Sequence, residues 1–221
     1  MFSQIKSRRG ETLIEVLVAT IVLIVGALAA ARLFAIATVN DQLTKERVIA
    51  TNLAREGLEA VRNIRDTNWL RFAGERRTCW NNLNPAECND TNLDGVPDDV
   101  ILQQKNYIAL FDADNYRWGL DSSGLNHRLD LSDGVGSDDE KYRLKLDGLG
   151  LYNYPSAGGS DTIFYREIYT EYLNPNQTLA IDPSANILRV TSKVEWYDRG
   201  KMSEVTLSTI LTDYLGRKNH D

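Results

Sequence analysis

Apolar and polar residues follow three different rhythms along this chain. From Val16 to Ala31, sixteen residues carry no charge; Arg32 interrupts, and Leu33–Ala37 resumes the apolar run. Sixteen residues give about 24 Å of helix, short of a bilayer core of roughly 30 Å, so a tilted span needs Leu13, Ile14 and Leu33–Ala37 as well. Beyond it, apolar and small residues recur at helical spacing: Ile49, Ala50, Leu53, Ala54, Gly57, Leu58, Ala60, Val61 and Ile64. Lys45, Glu46, Arg47, Arg55, Glu56, Glu59, Arg62 and Arg65 supply the polar face. No proline occurs from Leu33 to Ile64, and Asp66-Thr67-Asn68 is expected to end the helix.

Residues 67–140 change character, with short apolar pieces between polar turns. The third rhythm follows. Lys141–Leu146 alternates charge with apolar residue, the period of a half-buried strand. Thr162–Leu173 is rich in aromatic and β-branched residues, and Ile187–Tyr197 sets Val190, Val194 and Trp196 against Arg189, Lys193 and Glu195. Asp198-Arg199-Gly200 is a turn signal, after which Lys201–Tyr214 returns with Val205, Leu207, Thr209 and Leu211 on one face. The expected fold class is α+β: a long N-terminal helix packed on a C-terminal antiparallel sheet of three to four strands. The organisation read from these shifts is a leader at 1–10, an apolar helical half at 11–37 and an amphipathic half at 38–66. A loop-rich region at 67–140, a sheet at 141–215 and a tail at 216–221 follow.

Charge sharpens this picture. The 221 residues have a formal net charge of −6, yet residues 1–10 hold Lys6, Arg8 and Arg9 and no acid, which leaves −9 on the rest. A basic head before an apolar run keeps the N-terminus cytoplasmic and the body outside. The 25 % charged content excludes a polytopic membrane protein, and the acid excess argues against nucleic-acid binding by bulk charge. Two histidines and two cysteines leave little material for a zinc enzyme.

The apolar run admits a secretory signal peptide, cut near Ala27-Leu28-Ala29 so that the mature chain starts at about Ala30, or a plain signal anchor. Neither accounts for Glu15, a carboxylate at the mouth of the run, where membrane insertion costs about 2.5–3.5 kcal/mol deep in a bilayer. Arg8-Arg9-Gly10-Glu11-Thr12-Leu13-Ile14-Glu15-Val16-Leu17-Val18-Ala19 resembles the processing signal of type IV pilins and type II secretion pseudopilins. The resemblance implies cleavage between Gly10 and Glu11 by a prepilin peptidase, N-methylation of Glu11 and an assembly role for Glu15. Glu11 stands where the family usually has phenylalanine or another apolar residue. Leu53–Asp66 and Val194–Gly200 with Val205–Thr209 also resemble minor pilins. The resemblance further implies a membrane-stored subunit whose partners are other pilin or pseudopilin subunits, an inner-membrane assembly platform and, before assembly, lipid. The localisation implied is the cytoplasmic membrane, single-pass, with the head outside and later in a filament.

Once cut, the chain would begin with a cationic amine about one helical turn before Glu15. In a bundle of subunits the carboxylate of one can meet the amine of the next away from water. Removing one partner would leave a buried charge, at roughly 3–5 kcal/mol, so the pair would set register.

Cys79 and Cys88 lie nine apart, and in an exported domain they read as a local disulfide rather than two free thiols. Directly after them, Asp90, Asn92 and Asp94 followed by Gly95 match the first half of an EF-hand loop, with the Val96 carbonyl and Asp98 or Asp99 as further oxygens for Ca²⁺. The wording resembles thrombospondin type 3 and dockerin calcium repeats. Ile101 occupies the twelfth position, so the bidentate glutamate is missing, and an acidic surface turn is the competing reading. Asp112–Asn115, Ser132–Gly134 and Asp138–Glu140 read as solvated loops. The sequence has no nucleophile-elbow, Walker, zinc-protease or dinucleotide motif, so no enzyme activity is expected. A structural subunit is the first reading; an exported calcium-binding or adhesive domain behind an ordinary signal peptide is the alternative.

Overall fold

The computed structural model describes residues 11–84, 86–94, 96–112, 115–148, 150–154, 159–180 and 186–213. Lys6, Arg8, Arg9 and Gly10, the loop's Gly95 and the tail 216–221 lie outside the described residues. The chain divides into two compact units, Met1–Arg47 and Val48–Asp221.

In the first unit the described residues are all helix, the opening part of α1 (Glu11–Arg71). By length and composition its apolar stretch can cross a membrane. Its large apolar side chains are exposed, Leu13 at 71 % and Phe34 at 73 %, in keeping with a surface made for a non-aqueous neighbour.

In the second unit the amphipathic pattern is used as expected. Ala50, Leu53, Ala54, Leu58, Ala60, Val61 and Ile64 are buried. All but Ile64 join two hydrophobic clusters with Phe164, Ile168, Tyr172, Leu188, Val190, Val194 and Trp196 from the sheet. The helix does not end at Asn68. It runs to Arg71 because both Asn68 and Trp69 are buried. Asn68 Nδ2 donates to the Trp80 carbonyl at 3.2 Å and the Asn82 carbonyl at 2.7 Å, holding one further turn against the following segment.

The sheet is antiparallel, as expected, but has seven strands rather than three or four. Those are β1 (Lys105–Asp112), β2 (Arg117–Asp121), β3 (Arg143–Leu146), β4 (Tyr152–Asn153), β5 (Ser160–Tyr172), β6 (Ile187–Asp198) and β7 (Lys201–Thr212). β3, β5, β6 and β7 fall on the alternating segments. The region read as loops supplies β1 and β2, a hairpin registered Ile108↔Asp121 through Asp112↔Arg117. β5 is the hub: β1 and β3 share one edge and β6 takes the other. β6 and β7 stay in unbroken register from Ile187↔Thr212 to Asp198↔Lys201. Arg199 and Gly200 turn the chain with φ of 50° and 78°, the left-handed pair a two-residue hairpin needs.

Close approach of helix and sheet centres on Gly57. A Cβ there would lie 2.5 Å from Ser192 Oγ and 3.4 Å from Arg166 Cδ. Gly57→Leu is therefore expected to lower stability by at least about 1–3 kcal/mol through overpacking, despite the better helix propensity of leucine. Equilibrium denaturation of the full chain in detergent measures it; unchanged stability would mean that the helix and sheet are not this close.

Candidate functional site

The sequence-predicted residues fall in separate places. Glu15 is exposed on α1, one turn after Glu11, and among the described residues neither Glu15 nor Arg32 has an ion-pair partner. A charge at each end of an exposed apolar stretch is costly to place in a bilayer without a partner.

Cys79 and Cys88 form a disulfide with Cα atoms 5.9 Å apart. Cys79 ends the short helix α2 (Arg76–Cys79) and is buried, so the bridge ties the loop that follows to the base of the head. Beyond it, the acidic residues curl on themselves. The Asp94 backbone N–H lies 3.2 Å from both Asp90 Oδ1 and Asn92 Oδ1, which makes those two oxygens neighbours. Asp94 Oδ1 accepts from Val96 N–H at 2.8 Å, and the Asp98 carboxylate accepts from Thr91 N–H at 3.3 Å. Asp99 points elsewhere: its Oδ2 accepts from Asn84 at 3.3 Å. The donors that remain, carboxylates and a carboxamide, are the hard oxygens that suit Ca²⁺. Among the described residues no group of three or more His, Cys, Asp or Glu side chains is arranged to hold a metal, so the loop in this conformation offers an incomplete set.

The outer face of the sheet carries chemistry that the sequence did not announce. Glu167 has no exposed surface and Glu195 is 2 % exposed. Arg128 Nε donates to both oxygens of Glu167, at 3.0 and 2.9 Å, and Leu129 N–H adds a third bond at 3.0 Å. Glu195 accepts from Leu131 N–H at 2.8 Å and pairs with Lys193 at 2.9 Å. The Arg128 guanidinium also lies 3.7 Å from the Tyr169 ring centre. These contacts strap residues 125–131 across the sheet, so β5 is buried on both faces along Phe164–Ile168. Asp139, read as part of a solvated loop, is 6 % exposed; it accepts from Gly136 N–H at 2.9 Å and lies 3.0 Å from His127 Nε2. The missed signal was alternation in β5 and β6 with acids at inward positions, which makes sense only when a basic or N–H-rich segment covers them.

Buried phenols complete the electrostatics. Burial pushes Tyr107 up from 10.0 to about 12, only partly offset by the N–H of Leu102, which donates to its oxygen. Burial also raises Tyr142, Tyr154 and Tyr172. On Arg166 burial works against the charge, but Tyr154 and Glu56 outweigh it and the net shift is upward.

No protein-family model, no curated protein and no solved structure matches the chain.

Two measurements check this geometry. Because the phenols are raised, their neutral form stabilises the fold fully below pH 10, and for Tyr107 this is lost as pH climbs through about 12. Tyrosinate absorbance should then rise together with loss of near-ultraviolet dichroism; titration of all tyrosines near pH 10 with the fold intact would contradict it. Replacing both Cys79 and Cys88 by alanine should cost about 2–3 kcal/mol, the loop-closure value for so short a ring, measured by denaturation with and without reductant.

Proposed function

We propose that this chain is a structural subunit of a pilus-like filament, a minor pilin or pseudopilin, and not an enzyme. What carries the reading is a basic leader and Gly10 followed at once by α1, whose opening stretch exposes apolar residues headed by Glu15. In this role a prepilin peptidase cuts between Gly10 and Glu11 and methylates the new amine. The subunit waits in the cytoplasmic membrane with its N-terminus inside and its head outside. An inner-membrane assembly platform then draws it into the filament, where Glu15 neutralises the amine of a neighbouring subunit. The pair sets axial register, because a misplaced subunit would bury a charge without its partner.

The test is assembly itself. Glu15→Ala should be processed and retained in the membrane yet enter sheared filaments poorly, at about one-tenth of the wild-type yield or less. Gly10→Val should keep Lys6, Arg8 and Arg9 and not assemble at all. Normal incorporation of Glu15→Ala, followed by crosslinking and shearing, would remove the carboxylate from this role.

A second element of the proposal is calcium. The shared Asp94 N–H that gathers Asp90 and Asn92 supports a weak hard-cation site in which Asp94, Asp98 and the Val96 carbonyl complete part of the shell, with water filling the rest. Binding only to the folded state stabilises it by RT ln(1 + [L]/Kd), so millimolar Ca²⁺ should raise the melting temperature of the full chain in detergent. Asp94→Ala should abolish the rise and leave the calcium-free value nearly unchanged. With no acid at Ile101, a Kd of roughly 10⁻⁴–10⁻³ M is expected. No heat of binding and no melting shift at millimolar Ca²⁺ would return the loop to an ordinary acidic turn.

A further inference from the structure

Among the described residues the sheet ends on three strands: β2 with 5 residues, β4 with 2 and β7 with 12. Short edge strands are one way a sheet avoids pairing with another chain. β7 has no such protection. It contains no proline, keeps unbroken register with β6, and carries charge only at Lys201 and Glu204, so residues 205–212 form a neutral edge.

The hairpin fixes which backbone groups face outward. Its two-residue turn makes Asp198↔Lys201 a pair that exchanges both hydrogen bonds, so every second residue from Lys201 is bonded to β6. The N–H and C=O groups of Glu204, Thr206, Ser208, Ile210 and Thr212 therefore point away from the sheet. No backbone hydrogen bond from another described segment reaches them.

The side chains describe the strand that would fit there. On the helix face Val205 and Leu207 pack on the hydrophobic clusters yet are only partly buried, so the core reaches this edge incompletely covered. On the outer face Glu204 stands directly opposite Glu195, and like charges opposed across a sheet are unfavourable. Glu195 has Lys193 at 2.9 Å and the Leu131 N–H at 2.8 Å. Glu204 is exposed and has no hydrogen-bond or ion-pair partner among the described residues. A cation on a strand laid beside β7 would supply one.

We infer that β7 is a docking edge for an extended segment of another polypeptide, added as an antiparallel strand in keeping with the rest of the sheet. That segment sets apolar side chains beside Val205, Leu207 and Leu211, uncharged ones beside Thr206 and Ser208, and a lysine or arginine beside Glu204. A second copy of β7 does not meet this description. Its one cation, Lys201, lies in the row bonded to β6 and so cannot face Glu204 across an antiparallel pair. The assignment depends on neither the filament role nor calcium.

The experiment is titration calorimetry on the full chain in detergent with the nonapeptide acetyl-Thr-Val-Thr-Val-Thr-Val-Thr-Val-Lys-amide, whose lysine faces Glu204 when its first residue faces Thr212. N-methylation of its third, fifth and seventh residues removes N–H groups aimed at β7 and should weaken binding at least about tenfold. N-methylation of the fourth and sixth, aimed away, should leave affinity within about twofold. Glutamate in place of the lysine should weaken binding about two- to fivefold, and Glu204→Lys should reverse that preference. Thr206→Pro removes one outward N–H, a change an edge strand tolerates, and should weaken the peptide at an unchanged melting temperature. If that variant does not fold, the two N-methylated peptides still decide. The inference is overturned if the peptide gives no heat at millimolar concentration, if the two N-methylated peptides bind alike, or if Glu204→Lys leaves the preference for lysine unchanged.

Discussion

Arg166 reaches from β5 into the helix with 1 % of its surface exposed, and every donor it carries has to be satisfied inside. Its Nη1 donates to the Leu53 carbonyl at 3.1 Å and to Glu56 at 2.8 Å, and its Nε donates to the Tyr154 hydroxyl at 3.0 Å. Tyr154 in turn donates to the Arg166 carbonyl at 3.0 Å, closing the ring. A buried guanidinium with one fewer partner would cost several kcal/mol, so this set fixes where the helix sits on the sheet. Gly57 follows from the same constraint, since the helix can come this close only where no side chain intervenes.

The outer face obeys the same logic with the charges reversed. Glu167 and Glu195 are interior anions, and they hold down the 125–131 segment through backbone N–H groups and Arg128. Cation toward the helix and anions away from it leave β5 covered on both sides, which is why its burial is almost continuous. Such pairs specify one arrangement more than they strengthen it, because their attraction is set against the loss of hydration.

Much of this was legible in the residues. The change from an all-apolar run to an amphipathic stripe at Ile49–Ile64 located the buried face, and alternation with a left-handed turn at Arg199-Gly200 located β6 and β7. Cys79 and Cys88 are paired, as their short spacing led one to expect. β1 was not legible: Lys105–Asp112 has only three buried residues, Asn106, Tyr107 and Ala109, in no strict alternation, and its place beside β5 depends on contacts some sixty residues away. The helix end was missed for a related reason, since Asn68 is held by carbonyls of Trp80 and Asn82 rather than by any local cap. Glu195 read as a polar strand position and Arg166 and Glu167 stood out in no way, and only the fold brings each to its partner. The acidic loop shows the opposite limit. Its spacing suggested a cation shell, whereas Asp99 turns to Asn84 and leaves the set.

What α1 is for turns on where the mature chain begins. Mass analysis of the N-terminal peptide, after expression beside a prepilin peptidase, reads this directly. A chain starting at an N-methylated Glu11, with Glu15 one turn inside, is the result expected of a filament subunit. An intact leader, or a start near Ala30 with the apolar half removed, would contradict it and make the head an ordinary exported domain.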